Sequence, residues 1–307
     1  MPALGRLMAV AHRQTVPEPL DICLARIFGI SAASAKDVAG GGGDVPLAAI
    51  SLLAEDVSGG MQQQRPWVMF AEPVHLSLQR DSFSLDWPLP QRISHEEAQG
   101  LINDLNRHFH EDGLQFVIGE GGHWYLLLHA SPEIRTCLPE VAAGRRIDDY
   151  QLQGAGAPRW QRILNEIQML LFVHPVNQRC EQRGEPPINS LWLHSVGRLP
   201  VVGAGADRPL LGDAPLARGL NLLRQAKPYP SCTELEAIKS EECSVYADSE
   251  LAVRQWSESA LRALQLRKIE NLTLMLGHDG VTQHFEIWPR DLWKFWRKPR
   301  PWKEDFA

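Results

Sequence analysis

The order of apolar and polar positions divides the chain before any chemistry is considered. "PLDICLARIFGI" places Leu20, Cys23, Leu24 and Ile27 at helical spacing, and "VPLAAISLLAEDV" offers a second short helix, so the first 60 residues read as helical. Between them "AGGGGD" interrupts at Gly40 to Gly43. No Lys-Ser/Thr follows these glycines, so the run reads as a flexible connector and not as a phosphate loop. "SGGMQQQR" closes the segment as a linker.

From Trp67 the pattern changes to strands around a helix. "WVMFAEPVHLSL" and "SFSLDW" read as a strand pair. "SHEEAQGLINDLNRHFHEDG" opens with a capping box, Ser94 to Glu97, carries Ala98, Leu101, Ile102, Leu105 and Phe109 on one face, and finds a stop at Gly113. "LQFVIGE" and "HWYLLLHA" supply two more strands, which makes a strand-strand-helix-strand-strand unit, an α/β layer with a helix covering a sheet. Trp160, Ile163, Leu164, Ile167, Leu170 and Leu171 mark a helix over 159–172, which Pro175 ends at His174.

Beyond it the pattern predicts a short helix over "VNQRCEQR", a mainly buried strand over 188–194, and a helix near 214–225. "TELEAIKSEE" starts another helix and "DSELAVRQWSESALRALQLRK" is a long amphipathic one. A hairpin from "NLTLML" to "VTQHFEIW" turns through Gly277 to Gly280. The chain divides into an N-terminal helical segment with a Gly-rich break (1–64), an α/β module (65–227), and a C-terminal part (228–307) of helix, hairpin and Trp/basic tail.

Composition narrows the class. Apolar residues at 44% and charged residues at 22% describe a folded protein, and a formal net charge of −6 argues against one that coats nucleic acid or an anionic membrane. No apolar run reaches a bilayer-spanning length and no signal-peptide pattern opens the chain, so it reads as cytoplasmic. The five cysteines are scattered without a C-x-x-C pair, which supports neither a disulfide framework nor a cysteine zinc site.

Candidate chemistry concentrates in "HPVNQRCEQRGEPPINSLWLHSVGRLP". Arg179 and Arg183 lie four apart on one helical face, where like charges repel unless an anion or carboxylate stands between them. Two guanidiniums near His174 and Asn177 suit a small phosphorylated or carboxylated ligand. The competing reading has them solvated, or paired with Glu181 and Glu185. Asn189 interrupts the apolar run, either to pin a neighbouring loop or to contact a ligand. His194 and Ser195 are adjacent, and a regular strand would turn them to opposite faces. In "WPRDLWKFWRKPRPWK" aromatic and basic residues interleave, as a partner surface would require. A helix over 290–298 would instead bury Leu292, Phe295 and Trp296 and leave Lys294 and Arg297 in solvent.

His-Pro-Val-Asn, then Arg and Gly, then Pro-x-Asn and a Gly loop, resembles the substrate-binding part of the archaeal-type cofactor-independent phosphoglycerate mutases. The likeness extends through "AEPVHLSL", "SHEEAQGLINDLN", "LQFVIGEGGHWYLLL", "LNEIQMLLFVHPVN" and "PLARGLNLL", over roughly 67–225. "WYLLL", "RW…LNEIQMLL" with "HPVN", and "NSLW" are similar to the bacterial RpfE-type regulatory proteins. The resemblance implies an α/β substrate-binding domain and carries His174, Asn177, Arg183 and Asn189 over as ligand residues, to which the reading of the two guanidiniums adds Arg179. It implies a regulatory or binding protein for a small anionic metabolite or a protein partner, with no cofactor and no metal. As the alternative it implies a two-metal phosphoglycerate mutase using Mn or Zn. The chain departs from the mutases in lacking their opening Asp-Gly-x-x-Asp metal motif; Asp21, Asp37, Asp44 and Asp56 do not form it. His123-Trp124 stands where the mutases tend to carry His-Arg, and Cys180 where they carry an arginine. "LGHDGVTQH" reads as a hairpin turn, not as a metal strand.

Overall fold

The computed structural model describes residues 2–32, 44–55, 65–89, 93–201, 209–225, 242–247, 249–294 and 296–299. The glycine run at 40–43, most of the linker over 58–65 and all but the end of the helix expected from "TELEAIKSEE" lie outside them. In chain order the first elements are α1 (Pro2–Val10), β1 (His12–Val16), α2 (Leu20–Ile27), α3 (Leu47–Glu55), β2 (Trp67–Leu78), β3 (Phe83–Asp86) and α4 (His95–His108). There follow β4 (Gln115–Ile118), β5 (Trp124–Leu128), α5 (Pro139–Ala142), α6 (Ala157–Phe172), α7 (Pro175–Gln182) and β6 (Ser190–Gly197). The last are β7 (Leu210–Leu211), α8 (Pro215–Leu223), β8 (Ser244–Val245), α9 (Glu250–Gln265), β9 (Leu272–His278) and β10 (Val281–Ile287).

Two compact units divide the chain, residues 25–203 and residues 1–24 with 204–307. In the first, the expected strand-strand-helix-strand-strand order is present as β2-β3-α4-β4-β5, and the fold is mixed α/β on antiparallel sheet. β2 is the central strand, pairing antiparallel with β5 from Trp67 to Phe70, with β6 from Val68 to Val74, and with β3 from His75 to Leu78. Every residue from Val68 to Val74 is buried because both faces of β2 are covered, which is why it reads as an apolar run and not as an alternation. On one face Met69, Ala71, Trp124, Leu126, Leu191 and Leu193 pack against the apolar stripes of α4 and α6. On the other, α3 packs against β2 and β6, on the side to which Phe70 and Tyr125 point.

The capping box is formed as expected: the Glu97 N–H donates to the Ser94 hydroxyl, and the Ser94 N–H to Glu97 Oε2. Gly184, at φ +71°, follows α7 in the left-handed conformation that favours glycine.

In the second unit β10 lies between β1 and β9, with Phe285 and Ile287 packed against α1 and α9. Asp279 and Gly280 turn the β9–β10 hairpin at φ +49° and +77°, the two positive dihedrals that a tight two-residue loop requires. Two expectations are corrected. "HRQTV" is a strand inside the segment read as helical; it is an edge strand exposed along nearly its whole length, so it carries no apolar alternation to betray it. The C-terminal segment is a short 3-10 turn over Pro289–Trp293, not a helix to 298. Lys294 Nζ donates to the Val10 carbonyl (3.3 Å) and Arg297 Nη1 approaches the carbonyls of Ala9 and Ala11 (3.4 and 3.5 Å). These cations therefore cap the C-terminus of α1, while Trp296 is exposed. Among the described residues no helix is long and apolar enough to cross a membrane.

Candidate functional site

Beside its buried stripe, α4 carries Glu97, Gly100, Asp104 and Arg107 at spacings of three and four, on one face. That face and the start of α7 form a groove of about 700 Å³, lined among others by His95, Asn103, His174, Pro175 and Arg179. Two carboxylates on α4 each face two nitrogen donors. Glu97 Oε1 lies 3.3 Å from Arg183 Nη1 and 3.7 Å from Arg179 Nε. Asp104 lies 3.1 Å from Arg107 Nη1 and 3.2 Å from His174 Nε2. His174 is also the N-cap of α7, its Nδ1 accepting from the Val176 N–H (3.2 Å), so the ring proton sits on Nε2 and donates to Asp104. The backbone hydrogen bond from Ser94, ahead of those from the Ser94 hydroxyl and Arg183, lowers the Glu97 carboxyl below its ordinary range despite burial. The bond to Glu185 (2.7 Å from Nε) raises the Arg183 guanidinium further.

The five residues singled out in the sequence separate into two groups. His174 and Arg179 line the groove, and Arg183 joins Arg179 at Glu97. Asn177 and Asn189 have their amides engaged by backbone. The buried Asn177 donates to the carbonyls of Leu171 and Ile188 and accepts from the Ile188 N–H, all within 2.8 Å, which pins the loop after α7. Asn189 accepts from Leu76 N–H and donates to Leu76 O, continuing the β6 ladder along β2 as a backbone unit would. Glu97 was legible as a capping residue. Its meeting with the arginines, and the places of Asp104 and Arg107, carry no sequence signal beyond the helical stripe.

A second concentration of polar groups lies on the α3 side of the sheet. β6 slips register against β2 between Val68 and Phe70, and Ser195 adopts φ +57°. The bulge breaks the alternation expected for adjacent residues and brings His194 Nδ1 within 3.0 Å of Ser195 Oγ. The Ser195 N–H donates to Thr136 Oγ1, which is bonded to Asp44. Burial pushes the Asp44 carboxyl up, against the hydrogen bonds from Thr136 and Val196. His194 stacks on Phe70, whose ring also meets His123. The His123 Nδ1 lies 2.7 Å from the buried Glu72 carboxylate, which requires the proton on that nitrogen.

Two divalent metals, implied by the mutase resemblance, need clustered carboxylate and imidazole donors. Among the described residues no three His, Cys, Asp or Glu side chains are grouped to hold an ion. Asp21 accepts from the Tyr246 hydroxyl, Asp44 is bound by Thr136, and His278 lies 3.3 Å from Asp279 at the hairpin tip. As placed, those donors do not fit a metal pair.

Residues 89–177, from just before α4 to the first turn of α7, match the family model described as 2,3-bisphosphoglycerate-independent phosphoglycerate mutase. The chain is 25% identical over 298 residues to a probable 2,3-bisphosphoglycerate-independent phosphoglycerate mutase of Geobacter sulfurreducens, covering 92% of this chain and 69% of that protein. Over 110 residues it is 28% identical to the corresponding mutase of Methanosarcina barkeri, covering 35% of this chain and 28% of the relative. A cofactor-independent phosphoglycerate mutase of Thermoplasma acidophilum superposes with a TM-score of 0.37 at 16% identity, over 93% of this chain and 81% of that one. The sequence matches relate the chain to the cofactor-independent phosphoglycerate mutases. The matched residues contain α4, His174 and Asn177, and stop short of Arg179 and Arg183.

Proposed function

We propose that the chain is a binding protein of the RpfE type, built on the mutase substrate-side fold, whose α4–α7 groove takes a small metabolite carrying phosphate or carboxylate in a regulatory setting. The observation that carries this is the convergence of Arg179 and Arg183 on one carboxylate oxygen of Glu97. Two guanidiniums four residues apart, on α7 and at its C-cap, are tolerated because an anion lies between them. Arg107, His95 and His174 line the same groove and supply further donors for a second anionic group. Titration of metal-stripped protein with 3-phosphoglycerate by calorimetry tests it. Saturable heat that Arg183→Ala weakens about tenfold is the expected result, since a charge-assisted bond is of that order. No heat in either protein would remove the reading.

The similarity over 92% of the chain to a probable mutase favours a second reading, phosphoryl transfer between the hydroxyls of phosphoglycerate with two metals. The same preparation with Mn added, assayed for conversion of 3- to 2-phosphoglycerate, separates the two. Turnover well above the metal-stripped control would replace the binding reading.

A further inference from the structure

The Glu97 carboxylate does two things at once. Oε2 lies 3.1 Å from both the backbone nitrogen and the hydroxyl of Ser94, which holds the first turn of α4. Oε1 faces Arg183 Nη1 and Arg179 Nε. Glu185 occupies Arg183 Nε separately, at 2.7 Å, so Glu97 is the group any ligand must move to reach both guanidiniums. The Glu97 side chain is 15% exposed against 50% and 41% for the arginines, so the resident anion is inside and the cations face the solvent from which a ligand arrives.

We propose that Glu97 is the specificity-determining residue of the groove, a built-in competing anion that excludes monocarboxylates and yields Arg179 and Arg183 to a phosphate monoester. This rests on the anion-binding reading above. A tethered carboxylate acts at a high effective concentration, in the millimolar range for short connections. A free monocarboxylate brings the same two oxygens and the same single charge, and loses translational freedom besides, so it cannot displace its tethered equivalent. A phosphate monoester carries about −1.5 to −2 charge near neutral pH and three acceptor oxygens, enough to engage both guanidiniums in paired bonds.

Glu97→Gln removes the competing charge and keeps the capping box, since glutamine serves at that position. Calorimetric titration of both proteins with 3-phosphoglycerate and with glycerate gives the test. Wild type is expected to bind the phosphate ester and not glycerate. Glu97→Gln is expected to bind the ester about tenfold more tightly and to gain measurable affinity for glycerate. Ser94→Ala, which weakens the cap and leaves Glu97 charged, is expected to retain wild-type selectivity, separating loss of helix from loss of charge. Unchanged or weaker affinity for both ligands in Glu97→Gln, or wild type binding glycerate as tightly as the ester, overturns the role of Glu97 and leaves the anion site standing. Absence of binding in every titration removes the anion site, and this role with it.

Discussion

At Ser195 the backbone turns left-handed, and that one dihedral decides the chemistry of its neighbour. His194 is enclosed by Phe70 and the bulge; its Nδ1 meets Ser195 Oγ, and its Nε2 has no hydrogen-bond partner among the described residues. Burial first, and the nearby His123 second, push its pKa down to about 3. An unfolded histidine titrates near 6.5, so between about 6.5 and 3 the unfolded chain binds a proton that the folded chain refuses, and stability falls as pH falls through that window. Going from pH 7 to pH 5 this group withdraws about 2 kcal/mol of stability. Urea unfolding at both pH values should show His194→Gln losing about that much less than wild type; equal losses would refute the neutral, buried imidazole. None of this was legible in "LWLHSVG", because a regular strand sends the two side chains to opposite faces and nothing in the residues announces the bulge. Asn189 was legible as a polar break in an apolar run, and Asn177 as a neighbour of the two guanidiniums. Their partners were not, since a buried amide shows in sequence only that it must find some.

The elements with the strongest local signals stand where the sequence put them, while the helix read over 290–298 does not. The capping box of α4 needs four consecutive residues, and the Asp279-Gly280 turn needs two. The loop between β4 and β5 is different. Gly119 in it is required by α3: a Cβ there would fall inside the Glu55 carboxylate, which accepts from the Gly121 N–H (2.7 Å) and from the Tyr125 hydroxyl. Gly119→Ala should therefore dislodge a buried carboxylate and its two partners, at roughly 2–4 kcal/mol. The midpoint of urea unfolding measures this, and a shift below about 0.5 kcal/mol would show that Glu55 can move aside without loss.

For the molecule as a whole, the first strand pairs with the last: β1 lies along β10 from His12↔Glu286 to Val16↔Thr282, and α1 packs on Phe285 and Ile287 while Lys294 and Arg297 cap its end. Deleting residues 1–16 should strip the cover from that core and open an edge of β10, so limited proteolysis within 249–294 should accelerate at least about tenfold. Trp293→Ala, at a side chain 73% exposed, should change stability by less than about 0.5 kcal/mol, and a larger loss would show that the tail is held by its aromatics and not by its cations. The sequence by itself determined the α/β class, the layer from β2 to β5, the stripes of α4 and α6 and the break at Pro175, because each follows from hydrogen bonds and side-chain periods within a few residues. Only the tertiary structure decided that β1 joins β10, that β6 bulges at Ser195, and that Glu97 of α4 is the carboxylate between Arg179 and Arg183. Those pairings join segments far apart in the chain, and they exist because whole faces must be buried against one another, a condition no local pattern contains.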